Sequence, residues 1–328
     1  MVDLCRRITL VNPCKIWYNE VSYNFSEVIF MDIVMNVLRV TLEEGLMYAL
    51  LAIGVYITYS ILDFPDLSVD GTMPMGAIAA AVLIIHGVNP WLCLIITFLL
   101  GMACGAVTGL LHVKLNIRPL LCGIIVYTAM LSVNLVVLFK GNNGTAVATF
   151  FRKPTIFNSG IANIFPDTWR IVILSFILVV ICKIIMDFYL KTKSGLLLRA
   201  TGDNERYVTM LAKDPGYTKI LGLAIGNGFA ALSGCVIAQQ KGSADQQMGV
   251  GMVVLGLASV IIGLSVFKKV KFMKPTTMVI LGSILYKAFL SAALALNLPT
   301  EYLKLLMAVL FTLALVFSEK LTGKKKKA

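Results

Sequence analysis

Nine apolar runs, each close to the length that crosses a lipid bilayer, constrain this chain more than any other feature. They lie near 45–62, 69–86, 90–112, 119–139, 169–188, 217–238, 250–267, 275–296 and 302–319. A transmembrane helix needs about 20 consecutive apolar residues. The pattern therefore predicts an all-α fold, a polytopic transmembrane helical bundle of about eight to nine spans. Composition points the same way, with 58% apolar and 14% charged residues, where a soluble domain carries about 25% charged. A soluble globule of 328 residues lacks the polar surface to cover that excess. A cytosolic enzyme, a disordered regulator and a disulfide-stapled secreted module are all excluded. The seven cysteines include no CxxC pair, and most sit in apolar runs, so they read as small buried hydrophobes.

The basic residues orient the chain. With the C-terminal Lys324–Lys327 run placed in the cytoplasm, most of the 29 Lys and Arg fall on the same side, in 114–118, 183–219, 268–274 and the tail. Cytoplasmic segments collect Lys and Arg, so the expected topology is N-terminus out and C-terminus in. The net charge of +12 is then a membrane-orientation signal rather than a nucleic-acid footprint. Arg118-Pro119 and Lys274-Pro275 each set a cation at the membrane surface, with proline at the first helical position, where its missing N–H costs nothing. Residues 1–34 mix Asn, Glu, Cys and aromatics without an apolar signal core. They are expected to be a poorly ordered extension, with Met31 an alternative start. The membrane domain is expected over 35–322, and a basic tail over 323–328. Two loops exceed connector length. Residues 140–168 face outside, as a partner-docking segment or a plain surface loop; residues 190–216 are polar, basic and inside.

The search for catalytic motifs is negative. The chain has no GxxxxGK[ST] phosphate loop, no HExxH and no GxSxG. Its two histidines, His86 and His112, lie far apart near span ends and read as interfacial residues, not a metal pair. Ionisable residues in apolar surroundings are costly and attract functional readings. Asp63, Asp66 and Asp70 sit in LDFPDLSVDG, where Pro65 and Gly71 interrupt the helix. With Gly71, Pro74 and Gly76 inside the second run, they are expected either to mark a broken or re-entrant helix lining a polar pathway or to form an acidic turn at the membrane interface. Lys287 lies deep in its run, either facing a cavity or paired with an acid in the membrane or across helices. Asn227, between Gly226 and Gly228, heads a polar strip with Ser233, Gln239, Gln240 and Asp245, and suits close helix packing with interhelical hydrogen bonds. The candidate pathway residues are Asp66, Ser68, Asp70, Asn227 and Lys287. LAIG occurs at 51–54 and again at 223–226, followed by Met75-Gly76 and Met248-Gly249 at similar spacing. In the expected topology these two stretches run in opposite directions, as an inverted repeat would.

Three stretches carry a family resemblance: GLMYALLAIGVYITYSILDFPDLSVDGTMPMGA, LLRATGDNERYVTMLAKDPGY and LGLAIGNGFAALSGCVIAQQKGSADQQMGVGMVVLGLASVIIG. They resemble the transmembrane permeases of binding-protein-dependent ABC importers, of the branched-chain amino acid and ribose type, and within them the bacterial branch associated with tryptophan or tyrosine uptake. The resemblance covers about residues 40–320. It implies a permease without enzymatic activity of its own, in the bacterial cell membrane, working by alternating access. It implies a separate ATPase at the cytoplasmic face that carries ATP and Mg, with no cofactor on this chain. It further implies an extracytoplasmic binding protein, often a lipoprotein, and a second copy of this chain; lipid is the remaining partner, nucleic acid is not. The solute it implies is a small molecule, an aromatic amino acid before a branched one. The family's coupling segment falls on Arg199, Gly202, Asp203 and Asn204 through Asp214; there Gly202 is expected to allow a turn, and Asp203 or Asn204 to cap a following helix. The competing reading is an ion-coupled secondary transporter relaying ions through Asp66, Asp70 and Lys287.

Overall fold

The computed structural model describes residues 13–142, 144–270, 272–296, 299 and 302–322, the side chains of 13–33, 161, 163, 269 and 317–322 excepted. Every apolar run is helical. Helix α1 (Pro13–Val55) passes into a π-helical turn, Tyr56–Ile61. It is followed by α2 (Val69–Ile85), α3 (Pro90–Leu115), α4 (Pro119–Gly141) and α5 (Arg170–Tyr189). Two short helices, α6 (Lys193–Asp203) and α7 (Glu205–Met210), lead into α8 (Pro215–Lys241). The chain closes with α9 (Met252–Val266), α10 (Pro275–Ala295) and α11 (Leu303–Thr322). Prolines open α3, α4, α8 and α10 at the first helical position. Helix α1 already occupies 13–34, part of the segment read from sequence as a loose extension; residues 1–12 and the 323–328 tail lie outside the described residues.

Among the described residues seven helical segments are long and apolar enough to cross a membrane, and α2 is apolar but shorter. The shortness of α2 has a local cause. Helix α2 has 17 residues, about 26 Å at 1.5 Å per residue, against a hydrocarbon core of about 30 Å. The non-helical stretch 62–68 lies ahead of it, and 242–251, irregular apart from a short strand and a 3₁₀ turn, precedes α9. The expected break within the second run is thus displaced. Helix α2 is continuous through Pro74, and the irregular backbone falls before it. Gly71 and Gly76 serve packing instead. A Cβ at Gly71 would lie 2.9 Å from Cβ of Met130 on α4, and one at Gly76 would strike the Ala231 carbonyl of α8.

Helices α1 and α8 form the centre. Over their most apolar windows 83% of residues are buried, against 33% for α3 and 28% for α4 and α5. The outer helices show Leu, Ile and Phe on their free faces, among them Ile95, Leu99, Ile184 and Phe188, as a lipid-facing surface requires. Lipid is as apolar as leucine, so helix association there depends on close approach and interhelical polar contacts. Both occur between α1 and α8. A Cβ on Gly54 would collide with the carbonyl oxygen of Gly226, and one on Gly226 would lie 3.0 Å from the Gly54 carbonyl oxygen. The glycines of the two LAIG stretches therefore meet at the helix crossing. Ser233 Oγ of α8 donates to the Met47 carbonyl at 2.9 Å.

The 140–168 loop is ordered in part by a two-stranded sheet, a small departure from an all-α chain. Strand β1 (Val147–Thr149) pairs antiparallel with β2 (Ser243–Asp245), with Ala148 opposite Ala244. The side chain of Gln239 accepts from the Ile156 N–H at 3.0 Å and pins the loop to the end of α8.

Candidate functional site

The stretch 62–68 has no helical ladder of its own, so its polar groups need partners elsewhere. Asp66 supplies one end. Its Oδ1 accepts from the Ser68 N–H at 2.8 Å, and its Oδ2 accepts from Nδ2 of Asn227 at 2.7 Å. Asn227 Oδ1 in turn accepts from the Ser68 hydroxyl at 3.1 Å and from Thr72 Oγ1 at 2.7 Å. All four residues are buried. Among the described residues no Lys, Arg or His nitrogen lies within 4.0 Å of Asp66 or Asp70. Each carboxylate is held by neutral donors and by the positive end of a helix dipole. Asp63 is different: it is exposed, with a left-handed φ of 53°, and takes no part.

Asp70 caps a helix other than its own. It lies in the first turn of α2, and its carboxylate accepts from the N–H of Val253 at 2.7 Å and of Gly251 at 3.3 Å, at the start of α9. The N-termini of α2 and α9 therefore abut, each preceded by irregular backbone and each facing an aspartate. Discontinuous helices whose N-termini converge in the interior are the arrangement transporters use to receive polar solute groups. Two unspent amides flank this junction. Asn134 of α4 donates to the Gly71 carbonyl at 3.0 Å, but its Oδ1 is buried without a partner. Gln246, in the 3₁₀ turn Gln246–Gly249 ahead of α9, has both amide atoms buried and unpaired. A buried unpaired polar atom costs about 1–3 kcal/mol, and a solute bearing donors and acceptors would relieve that cost.

Lys287 stands apart from this junction. Its Nζ lies 2.8 Å from Glu44 Oε2 of α1 and 3.9 Å from the ring centroid of Tyr48. The lysine is buried, while the glutamate side chain is 38% exposed. Of the readings the sequence left open, the structure displays the ion pair between helices, reinforced by a cation–π contact.

The 190–216 loop is folded as α6 and α7. Thr192 caps α6, Asn204 caps α7 by accepting from the Tyr207 N–H at 3.2 Å, and Asp214 caps α8 by accepting from the Gly216 N–H at 2.8 Å. Asn204, rather than Asp203, is the cap, and Asp203 is simply exposed. Gly202 corrects the sequence expectation of a turn. It sits inside α6, where its role is close packing: a Cβ there would strike the carbonyl oxygen of Ile61 at the end of the π-helical turn. The left-handed turn comes later, at Ala212, with φ 55°. Helix α6 thus rests its backbone on the start of the 62–68 stretch. Leu196 of α6, Tyr207 and Met210 of α7 and Leu211 just after it are each more than half exposed, beside the exposed Asp203 and Asn204.

Sequence reasoning brought Asp66, Ser68 and Asn227 forward, and they meet. It missed Thr72, Asn134, Gln246, Glu44 and Tyr48. Thr72 was legible, one helical turn after Ser68 on the same face; Asn134 and Gln246 resemble ordinary polar interruptions of an apolar run. Among the described residues no cluster of three or more His, Cys, Asp or Glu side chains could hold a metal ion.

Comparison with known proteins completes the picture. Residues 38–315 match the family described as branched-chain amino acid transport system, permease component. A tyrosine transport system permease protein of Clostridioides difficile (strain R20291) is 41% identical over 268 residues, covering 82% of this chain and 86% of that protein. An uncharacterised protein of Rickettsia prowazekii (strain Madrid E) is 32% identical, covering 86% and 97%. A fructose import permease protein of Bifidobacterium longum (strain NCC 2705) is 29% identical over 59% of this chain and 52% of its own length. No solved structure matches. These matches do not favour an ion-coupled secondary transporter. The chain belongs to the branched-chain amino acid transport permease family, and is a multi-pass permease component of an ABC-type transport system in the bacterial cell membrane.

Proposed function

We propose that this chain, as a homodimer, forms the pathway by which an aromatic amino acid, tyrosine first, enters the cell. The observation that carries the reading is the 41% identity to a tyrosine transport system permease across 82% of the chain. The N-terminus faces out and the C-terminus in, so α6 and α7 lie at the cytoplasmic face. There they receive a separate ATPase, which carries the ATP and Mg²⁺; this chain performs no hydrolysis and holds no cofactor of its own. Arg199, Gly202, Asp203, Asn204 and Asp214 belong to the coupling surface. ATP-driven movement of α6 bears on Ile61 through Gly202 and so on the 62–68 stretch that carries Asp66 and Ser68. The junction of the α2 and α9 starts, with Asp66, Ser68, Asp70 and Asn227, is the part of the pathway that opens by alternating access. Lys287 bears on that movement by tying α10 to α1. An extracytoplasmic binding protein delivers the solute from outside.

The test is ligand identification on the binding protein encoded with this permease, by thermal shift against a panel of amino acids, sugars and nucleosides. Tyrosine or another aromatic amino acid should raise its melting temperature by several degrees. A shift with a sugar or nucleoside, and none with aromatic amino acids, rejects the proposed solute.

A further inference from the structure

A cleft of about 310 Å³ opens between the 140–168 loop and the adjoining ends of α5 and α8. It is separate from the Asp66 network: Gln239, on its wall, lies twelve residues along α8 from Asn227, about 18 Å at 1.5 Å per residue. One side is aromatic. Phe150 and Phe157 are buried, 3% and 6% exposed, while Phe151 stands 70% exposed at the rim. Phe151 is positioned by Gly242, whose left-handed φ of 67° ends α8; a Cβ there would come within 2.6 Å of the Phe151 ring. The other side is charged. Arg170, at the first position of α5, pairs with Asp167 three residues earlier. The arginine side chain is mostly enclosed, and its Nε–H is buried with no acceptor. The Asp167 side chain is 90% exposed, with one oxygen spent on Arg170. Gln240 adds an amide to the lining.

A cation and an anion held side by side match the two charges of an α-amino acid, which are separated by a single carbon. An aromatic wall beside them matches a ring. The size lies at the small end of ligand sites, about 300–1,000 Å³, which suits one amino acid and not a cofactor. We propose that this cleft binds an aromatic α-amino acid as its zwitterion, with the carboxylate on Arg170, the ammonium on Asp167 and the ring among Phe150, Phe151 and Phe157. The proposal rests on the reading of the solute given above and extends it. The permease itself holds the solute at its loop face, ahead of the pathway, instead of receiving it only at the α2–α9 junction. The buried, unspent Nε–H of Arg170 is the donor that a carboxylate would satisfy, and such charge-assisted bonds are the stronger kind.

The test is equilibrium binding of radiolabelled L-tyrosine to the full-length chain in lipid nanodiscs, without ATPase or binding protein. Saturable binding should be competed by L-phenylalanine, and far less by tyramine, 3-phenylpropionate or L-alanine, which lack the carboxylate, the ammonium and the ring in turn. Arg170→Gln and Phe151→Ala should each weaken binding at least tenfold, and Arg170→Lys less. Phe151 is an exposed side chain, so its variant should keep the wild-type melting temperature and remain informative if Arg170→Gln misfolds. Absence of saturable binding, or affinity unchanged in Phe151→Ala and in a folded Arg170→Gln, overturns the proposal. Tyrosine uptake by the complete importer is measured in parallel. Uptake without binding by the isolated permease removes the cleft and leaves the transport reading standing. Neither uptake nor binding removes both. Binding without uptake keeps the cleft and removes tyrosine as the transported solute.

Discussion

At the scale of single residues, the membrane interior makes polar groups expensive and their partners decisive. The Glu44–Lys287 pair shows how burial breaks the symmetry between two partners. Lys287 is enclosed by protein, whereas Glu44 keeps 38% of its side chain exposed. Removing the acid strands a buried cation; removing the cation leaves an acid that can still reach solvent. Breaking a buried pair costs about 3–5 kcal/mol, chiefly for the charge left uncompensated, so the larger cost falls on the variant that leaves Lys287 without its acid. Glu44→Gln should therefore lower the melting temperature in detergent more than Lys287→Met, and the double variant should recover part of the loss. Equal losses in the two single variants would show that the pair does not carry the asymmetry. The lysine was conspicuous in the sequence, alone in an apolar run. Its partner was not, because Glu44 lies 243 positions away and reads as one more charge at the edge of the first run. Likewise Asp66 and Asn227 each stood out, but nothing in their spacing of 161 residues announces a hydrogen bond.

At the scale of elements, α6 and the π-helical turn form one contact through a missing side chain. Gly202 lies against the Ile61 carbonyl with no room for a Cβ. A large residue there must push α6 away from the end of the first central rod at Ile61. Gly202→Leu should insert into membranes normally yet lower uptake by tenfold or more while ATP hydrolysis by the assembled importer persists; Asp203→Lys, on the exposed end of α6, should do the same by reversing a surface charge. Wild-type uptake in both variants would discard the coupling assignment. Glycine at 202 was legible as special, but for the wrong reason, since sequence suggests a turn wherever glycine precedes Asp-Asn. Only the fold shows that the neighbour demanding its smallness comes from another element. The displaced break before α2 has the same origin: Gly71, Pro74 and Gly76 mark close approach by α4, α8 and the segment ahead of α9, and the helix survives them.

At the scale of the whole molecule, the apolar runs were readable because a bilayer imposes a length that depends on the chain alone. The arrangement of those helices was not, because it depends on small residues meeting across long separations. The proposed orientation is checked by reporter fusions. A fluorescent protein that folds only in the cytoplasm should report when inserted at Ala212, and alkaline phosphatase should be active when inserted at Asn158, both on exposed loop backbone; the reverse pattern would invert the topology. The crossing of α1 and α8 has a mechanical consequence of its own. With backbone against backbone at Gly54 and Gly226, the two rods have no cushion to compress, so they can pivot about that point but not close further. Ile61 lies seven residues from the pivot, about 10 Å, and Lys241 fifteen residues from it on the other rod, about 22 Å. A turn of about 10° about that point moves Ile61 by about 2 Å if α1 turns, and Lys241 by about 4 Å if α8 turns. Any such pivot is felt least at the two glycines and most at the rod ends, where α6 meets Ile61 on one rod and the chain runs on into β2 past Lys241 on the other.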